Sequence, residues 1–413
     1  MPDNTPNLKS KPRLAIVIQR YGQELGGGSE LHCQMLAERM TRYYDIEILT
    51  TCARDHRTWE NEYPPGATSV NGVAVRRFPV KRKRDSVGFE KAWQKIFWRS
   101  HTPDCEFDLL KHQGPYTPML IDYLRKFQDQ YNAFLFYTYL YYPTAIGLPI
   151  VGERAAFLPT AHDEPLLYLK LFDQVFRSTP HLIFLSEEER NLLQRRFTLQ
   201  SGIGTLAGVG IDNHLVTPDE SGWNGLKERL GNSQVVTYVG RIEGAKGCEN
   251  LVDFFLRYPK SRKDGGLKLL LLGRRIMNIP DHPDIIAPGF VSDYVKAKAL
   301  SVSTVSVASS PFESLCMAAL EAWYHGCPIL VNGQCRVLVG HCQRSNGGLW
   351  YENYEEFEAA LSRLLTDQNL RRALGSQGQQ YVRENYSWTR IETVYRQVLD
   401  RVIAGDCPKR NGY

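Results

Sequence analysis

The sequence lacks the spacings that mark several large function classes. Its nine cysteines, Cys33, Cys52, Cys105, Cys248, Cys316, Cys327, Cys335, Cys342 and Cys407, are odd in number and include no CxxC pair. A disulfide scaffold is therefore excluded, and reduced thiols in a cytoplasmic protein are expected. A zinc site could draw only on Cys335, His341 and Cys342, with no paired spacing to support it. No DxD triplet occurs, so the simplest acidic clamp for a divalent metal on a diphosphate is missing. The Walker spacing GxxxxGK[ST] is absent, and the glycine turn after the first strand is not GxGxxG. Both absences count against P-loop and dehydrogenase chemistry.

Charge of one sign is also scarce. The net charge is +5, from 50 basic and 45 acidic residues, too mild for wholesale nucleic-acid coating. No uninterrupted apolar span stands out. Tyr131 to Gly152 carries no charge over 22 residues, long enough to cross a bilayer. Pro143, Gly147 and Pro149 break it, however, and Tyr137, Tyr139, Tyr141 and Tyr142 place four hydroxyls in it. It reads as a buried strand (Ala133 to Thr138), an aromatic loop and a covered helix. The first apolar run, Leu14 to Ile18, is too short for a secretory leader. No solenoid repeat or low-complexity tract is visible.

What is present is ordinary globular composition, 43% apolar and 23% charged over 413 residues, a length suited to two or three domains. Strand-like runs alternate with helical patterns from end to end. In the first half the strands are Leu14 to Ile18, Ile46 to Thr51, Val73 to Phe78, Ala133 to Thr138, Ala155 to Pro159, Leu182 to Ser186 and Thr205 to Val209. In the second they are Val235 to Val239, Leu267 to Leu272, Val305 to Ala308 and Pro328 to Val331, with helices at Glu249 to Arg257, Asp293 to Ser301, Ser314 to His325 and Glu355 to Leu365. Alternation of this kind predicts an α/β protein with parallel sheets covered on both faces. The polar stretch Ile211 to Ser233 is the expected boundary. It would separate an amino-terminal domain, 1–212, from a carboxy-terminal one, 213–385. The final helix, within 386–413, is expected to return to the first domain. Two doubly wound, Rossmann-like domains would then face a central cleft at the carboxyl ends of their strands, where ligands bind in such sheets.

Four segments can carry chemistry. Glu313 and Glu321 lie eight residues apart in Pro311 to Glu321. If the helix starts at Ser314, Glu313 sits at its amino terminus and Glu321 about 12 Å deeper. The amides of Ser314, Leu315 and Cys316 would then be donors for an anionic or hydroxyl-rich ligand. Glu313 could instead be a charge favoured by the helix dipole. Glu321, bracketed by Ala318, Ala319, Leu320, Ala322 and Trp323, needs a partner. Second, Tyr238 to Gly247 ends a strand in glycine and flanks a tight loop with Arg241 and Lys246, which suits a diphosphate; two solvated surface cations are the plainer reading.

Third, Gly26, Gly27 and Gly28 follow the first strand and would let the backbone approach a phosphate or sugar, or simply form a flexible turn. Fourth, His162 lies past a strand end in Leu158 to Pro165, placed either to orient a sugar hydroxyl or for acid-base work, unless it is structural. Outside these, the run Arg76 to Arg84 holds six cations in nine residues. It is either a solvated loop or a contact for anionic lipid, each cation near such a surface contributing about 1 kcal/mol.

In this order the four segments resemble the retaining family-4 glycosyltransferases of the GT-B fold, over about Arg13 to Arg401. Gly208 to Asp212, Pro288 to Asp293 and Glu321 to Pro328 are similar to the family as well. The resemblance implies transfer of a sugar from a nucleotide-diphosphate sugar to a carbohydrate or lipid-linked acceptor, with retention and without a metal or other cofactor. It implies that Arg241 and Lys246 hold the diphosphate, Glu313 the donor-sugar hydroxyls and Glu321 the ribose. Val291 would lie by the base, Gly27 and Gly28 under the phosphates, and His162 by the donor sugar near the reacting carbon. The family usually has Phe-Gly where Leu315-Cys316 stands here, so the donor sugar is left open. By family habit the setting would be polysaccharide or glycoconjugate assembly in a bacterium, in the cytoplasm or at the inner face of the membrane. A nucleotide-sugar epimerase of the same fold, or a non-catalytic sugar-nucleotide-binding subunit, are the alternatives.

Overall fold

The computed structural model describes residues 10–200, 203–211, 217–259 and 266–406. Asp212 and Cys407 lie outside them, as does the end of the 386–413 segment. The chain forms two compact units. Unit 1 comprises the residues up to Leu185, Arg190–Ala207 and the segment from Glu392 on; unit 2 comprises Ser186–Glu189 and Gly208–Ile391.

Unit 1 is built on eight strands: β1 (Arg13–Val17), β2 (Asp45–Thr51), β3 (Gly66–Val70), β4 (Val73–Phe78), β5 (Ala133–Tyr137), β6 (Ala155–Leu158), β7 (His181–Phe184) and β8 (Thr205–Leu206). Their order is β3-β4-β2-β1-β5-β6-β7-β8. All neighbours are parallel except β3, which runs antiparallel to β4 at the edge. The parallel sheet thus carries one antiparallel strand, β3, at its edge. The cause is a two-residue hairpin: Asn71 and Gly72 both have positive φ (50° and 80°), the Asn-Gly chemistry that joins antiparallel strands. β3 itself, Gly-Ala-Thr-Ser-Val, is almost wholly exposed and has no apolar face to announce it.

The central strands read as continuous apolar runs because both their faces are covered. Ala133 to Tyr137 are fully buried, and the helix Tyr142–Val151 packs over them. Tyr131 to Gly152 is thus a strand, a loop and a covered helix. No helix among the described residues is long and apolar enough to cross a membrane. Two further helices, Ser86–Trp98 and Pro103–Gln113, fill the region after β4. The closing helix, Trp388–Ala404, enters unit 1 at Glu392. There Arg39 and Arg42 both reach the carboxylate of Glu392 (3.4 and 2.9 Å), and Tyr44 donates to Asp400 (2.6 Å). His32 sits edge-on between Tyr137 and Tyr395.

Unit 2 is a six-stranded, all-parallel sheet of β9 (Gln234–Val239), β10 (Leu267–Leu272), β11 (Ile285–Gly289), β12 (Val305–Ala308), β13 (Ile329–Asn332) and β14 (Gly348–Tyr351), ordered β11-β10-β9-β12-β13-β14. The edge strands β11 and β14 escape the sequence reading. β11 contains Pro288, which is tolerated at an edge, and β14 is only four residues long. The stretch expected to be linker contains a helix, Glu220–Leu230, capped by Asp219 accepting from the Gly222 amide (2.9 Å). Its Trp223, Leu226 and Leu230 are buried against Val235 and Leu270.

Candidate active site

In unit 2 the chain leaves β9 through Gly240, and the end of β10 comes so close that a Cβ on Gly273 would lie 1.9 Å from the Gly240 carbonyl. That contact explains a glycine at the strand end. Tyr238 then donates to the Arg241 carbonyl (2.8 Å), and Arg241 pairs with Glu243 (3.2 Å). A short 3-10 turn, Gly244–Lys246, ends at Gly247 in the left-handed region (φ 70°), where a Cβ would meet the Ser309 carbonyl at 2.2 Å. Ser309 donates its hydroxyl to the Lys246 carbonyl (2.8 Å), and Asn332 donates to the Ser309 carbonyl (3.0 Å). The loop is thus locked to the ends of β12 and β13.

This lock aims Lys246 at Glu313, and Nζ donates to Oε1 at 2.8 Å. Burial alone would push the Lys246 ammonium down, but the Glu313 charge outweighs it and leaves the group above its ordinary range. The pair holds a cation and an acceptor-only carboxylate side by side, both partly accessible. Such a pair can bind a phosphate oxygen on one side and a hydroxyl on the other.

The expected helix start at Ser314 is corrected. The helix runs Met317–Tyr324, so Glu313, Ser314 and Leu315 lie in the preceding loop, and Cys316 is the residue before the first turn. Cys316 takes φ 67° and ψ 78°, a left-handed conformation that costs a side-chain-bearing residue about 1–2 kcal/mol. Glycine fits that position without strain. Burial pushes the Cys316 thiol well above its ordinary range, so it is a poor nucleophile. With the helix start displaced, the argument from amides and dipole does not apply to Glu313, whose orientation comes from Lys246.

Glu321 has the partner its surroundings require: Lys296, from the helix Asp293–Val302, donates to it at 2.8 Å and also meets Asp293 at 3.0 Å. Val291 lies just before that helix and packs partly buried on the Trp223 cluster. The neighbouring Phe290 is 81% exposed. Ser292 caps the helix by accepting from the Val295 amide (3.3 Å) and donates to Asp219 (2.7 Å). Lys296 and Ser309 gave no sequence signal as site residues, since neither falls in a recognisable spacing.

In unit 1, Gly27 precedes the helix Gly28–Met40. A Cβ on Gly27 would lie 2.0 Å from a carboxylate oxygen of Glu30, whereas Gly28 faces open space. Glu30 is buried and accepts from Gln19 (3.0 Å) and Arg20 (2.6 Å). Burial raises this carboxyl, yet the Arg20 charge and the hydrogen bonds prevail and hold it below its usual range. His162 Nε2 lies 3.5 Å from Glu164, which also accepts from Tyr139 (2.7 Å). Beside it, Thr138 and Thr160 at the ends of β5 and β6 have φ of 59° and 52° and share a hydrogen bond (3.1 Å). Strained non-glycine residues of this kind concentrate at functional sites.

The basic run does not form one stripe. Arg76 pairs with Glu47 (2.8 Å), Arg77 is buried, and Lys83 meets Glu60 (2.6 Å); only Lys81, Arg82 and Lys83 are exposed. His341 is fully buried against Tyr381. No cluster of three or more metal-ligating side chains that could hold an ion occurs among the described residues.

The chain as a whole is similar to known proteins. Residues 227–381 match the family Glycosyl transferases group 1. That match lies within the carboxy-terminal unit, and the two α/β units give the chain the GT-B-like fold of the solved structures it resembles. The chain is 22% identical over 402 residues to the uncharacterized glycosyltransferase MJ1069 of Methanocaldococcus jannaschii, covering 91% of this chain and 95% of that one. Among solved structures it is similar to sucrose-phosphate synthase from Thermosynechococcus elongatus (TM-score 0.71, 16% identity, 96% of this chain and 100% of that one). It is also similar to HepE of Anabaena in complex with UDP and glucose (TM-score 0.66, 15% identity, 94% and 99%).

Proposed function

We propose that the protein is a retaining glycosyltransferase that moves a sugar from a nucleotide-diphosphate sugar to a carbohydrate or lipid-linked acceptor. The observation that carries this reading is the locked loop that presents Lys246 to Glu313. Lys246 and Arg241 would take the diphosphate, and Glu313 would accept from hydroxyls of the donor sugar. The Lys296–Glu321 pair would take the ribose and Val291 would lie by the base. Gly27, Gly28 and His162 would serve from unit 1. The UDP and glucose bound by HepE support this class of donor.

In the reaction the bond from the anomeric carbon to the phosphate oxygen breaks, and a bond to the acceptor oxygen forms on the same face. The acceptor proton passes to the departing diphosphate. Negative charge grows on that diphosphate, and fixed cations stabilise it without rearrangement. Glu313, tied to Lys246, is placed to bind rather than to attack. Because Arg241 and Lys246 already supply positive charge, we propose that no metal is needed.

The proposed setting is polysaccharide or glycoconjugate assembly at the inner face of a cell membrane, with Lys81, Arg82 and Lys83 touching anionic lipid. The test is to incubate the protein with a panel of nucleotide sugars and a mixed set of acceptors and to determine the anomer formed. An α-linked product from an α-linked donor supports the reading. Conversion of the donor without acceptor would instead identify an epimerase, and binding without turnover a non-catalytic subunit.

A further inference from the structure

Arg77 is the buried arginine of the basic run, and among the described residues no carboxylate answers its charge. It lies near the carboxyl end of β4 and is only 4% exposed. Its neighbour Arg76, on the opposite face of the strand, has the Glu47 carboxylate. Arg77 has none. Among the described residues it meets no carboxylate, and its Nη1 is buried without a hydrogen-bond partner. Its guanidinium instead lies over the ring of Tyr63, 4.0 Å from the centroid. Burial without a counter-charge pushes this group below its ordinary range.

A buried guanidinium with no anion is costly. Other polar atoms around it are unsatisfied too. Thr50, paired in register with Arg77 across β2 and β4, has a buried hydroxyl with no partner, and so does Tyr21 just past β1. All three stand at the carboxyl ends of adjacent parallel strands, the end of such a sheet that receives ligands. The Tyr63 hydroxyl packs against the loop after β1 so closely that a Cβ on Gly22 would lie 2.5 Å from it. The group therefore adjoins the same loop that carries Gly26, Gly27 and Gly28.

We propose that Arg77 is an anion anchor in unit 1: with Tyr63, Tyr21 and Thr50 it binds an oxyanion, phosphate or carboxylate, carried by the acceptor. This rests on the glycosyltransferase reading, and it narrows the acceptor to an acidic or phosphorylated one. The planar guanidinium matches either oxyanion through two parallel hydrogen bonds, and the two hydroxyls can donate to its remaining oxygens.

The probes are inorganic phosphate and glucuronate, each against potassium chloride of equal ionic strength, read by thermal unfolding. They are applied to the full chain carrying Arg241→Ala and Lys246→Ala, so that the proposed diphosphate site does not contribute. Saturating probe is expected to raise the melting temperature by about 3 °C or more. The larger rise of the two identifies which oxyanion the acceptor bears. Adding Arg77→Met should abolish the rise while leaving the probe-free melting temperature equal or higher, because an uncompensated buried charge is removed. Arg77→Lys, which keeps the charge and loses the fork, should weaken binding about tenfold. No rise beyond the chloride control, or a rise that survives Arg77→Met, overturns the anchor. If Arg77→Met does not fold, unchanged affinity in Arg77→Lys overturns it as well. A nucleotide sugar added to the protein with Arg241 and Lys246 intact separates the two readings. Stabilisation by it without any phosphate effect removes only the anchor, and the converse removes only the transferase.

Discussion

Lys246 Nζ and Glu313 Oε1 stand 2.8 Å apart, joined across 67 residues of sequence by two loops of one sheet. The two side chains orient each other at a mostly covered position. Lys246→Met and Glu313→Gln should each lower kcat/KM for sugar transfer by about 100-fold or more. The double variant should lose less than the product of the two, since the residues act as a unit. Steady-state rates on all four proteins, with far-ultraviolet circular dichroism to show that each is folded, check this. Independent, multiplicative losses would mean that the pair is not functional as a pair.

The left-handed Cys316 makes a contrast between two small substitutions. Cys316→Gly removes the backbone strain and should change stability by no more than about 1 kcal/mol. Cys316→Val places a β-branched residue at φ 67° and should cost about 2 kcal/mol or more. Urea unfolding of the two variants beside the parent decides it.

Gly247→Ala should be damaging in a way that a helix-propensity argument would not foresee. The new methyl would press on the Ser309 carbonyl at 2.2 Å, and the loop that aims Lys246 would have to shift. We expect stability to fall by about 1–3 kcal/mol and transfer to drop as far as it does in Lys246→Met. Retained activity in a folded Gly247→Ala protein would show that the lock is not required.

His32 and His341 are buried as neutral rings, both lowered to about 3 by burial, His341 further by Arg344. A group whose folded pKa is depressed contributes stability that is present above its unfolded value and lost as pH falls. Below the unfolded value of 6.5, each should therefore remove about 1.4 kcal/mol of stability per pH unit. His32→Phe keeps a ring between Tyr137 and Tyr395 and cannot titrate. Its stability difference between pH 7.5 and pH 5 should be smaller than the parent's by about 2 kcal/mol, measured by urea unfolding at both pH values. An identical difference would contradict the burial of a neutral imidazole at this position.

If Lys81, Arg82 and Lys83 touch anionic lipid, replacing all three with glutamine should abolish sedimentation with vesicles containing phosphatidylglycerol. Equal sedimentation would assign any membrane contact to another surface.

The apolar strands were legible in the sequence because burial on both faces leaves a continuous run, as in Ala133 to Tyr137 or Leu267 to Leu272. The antiparallel edge β3 was not, because its residues face water and only the Asn71-Gly72 turn betrays it. In the candidate site, Arg241, Lys246, Glu313 and Glu321 stood out in the sequence as charges beside glycines and apolar helix. Lys296 did not, because one lysine on a helix looks like any other until its height above Glu321 is known. The start of the Met317 helix was misplaced by three residues, since nothing in Ser-Leu-Cys forbids helix; a positive φ at Cys316 is a fact of packing. Arg77 read as one cation among six, and only the alternation along β4 separates it from Arg76.

The closing helix has a consequence for synthesis. Glu392 completes the cluster with Arg39 and Arg42, and Tyr395 completes the wall around His32, so unit 1 contains residues that precede and residues that follow unit 2 in sequence. A ribosome making this protein releases the first domain's sheet before unit 2 but the helix that walls it only after unit 2. Until then the ring of His32 and the face of the Gly28–Met40 helix stand uncovered, while unit 2 has all but its final residues. Unit 1 should therefore finish after unit 2, and a chain stalled between them should expose the surface around His32 to chaperones.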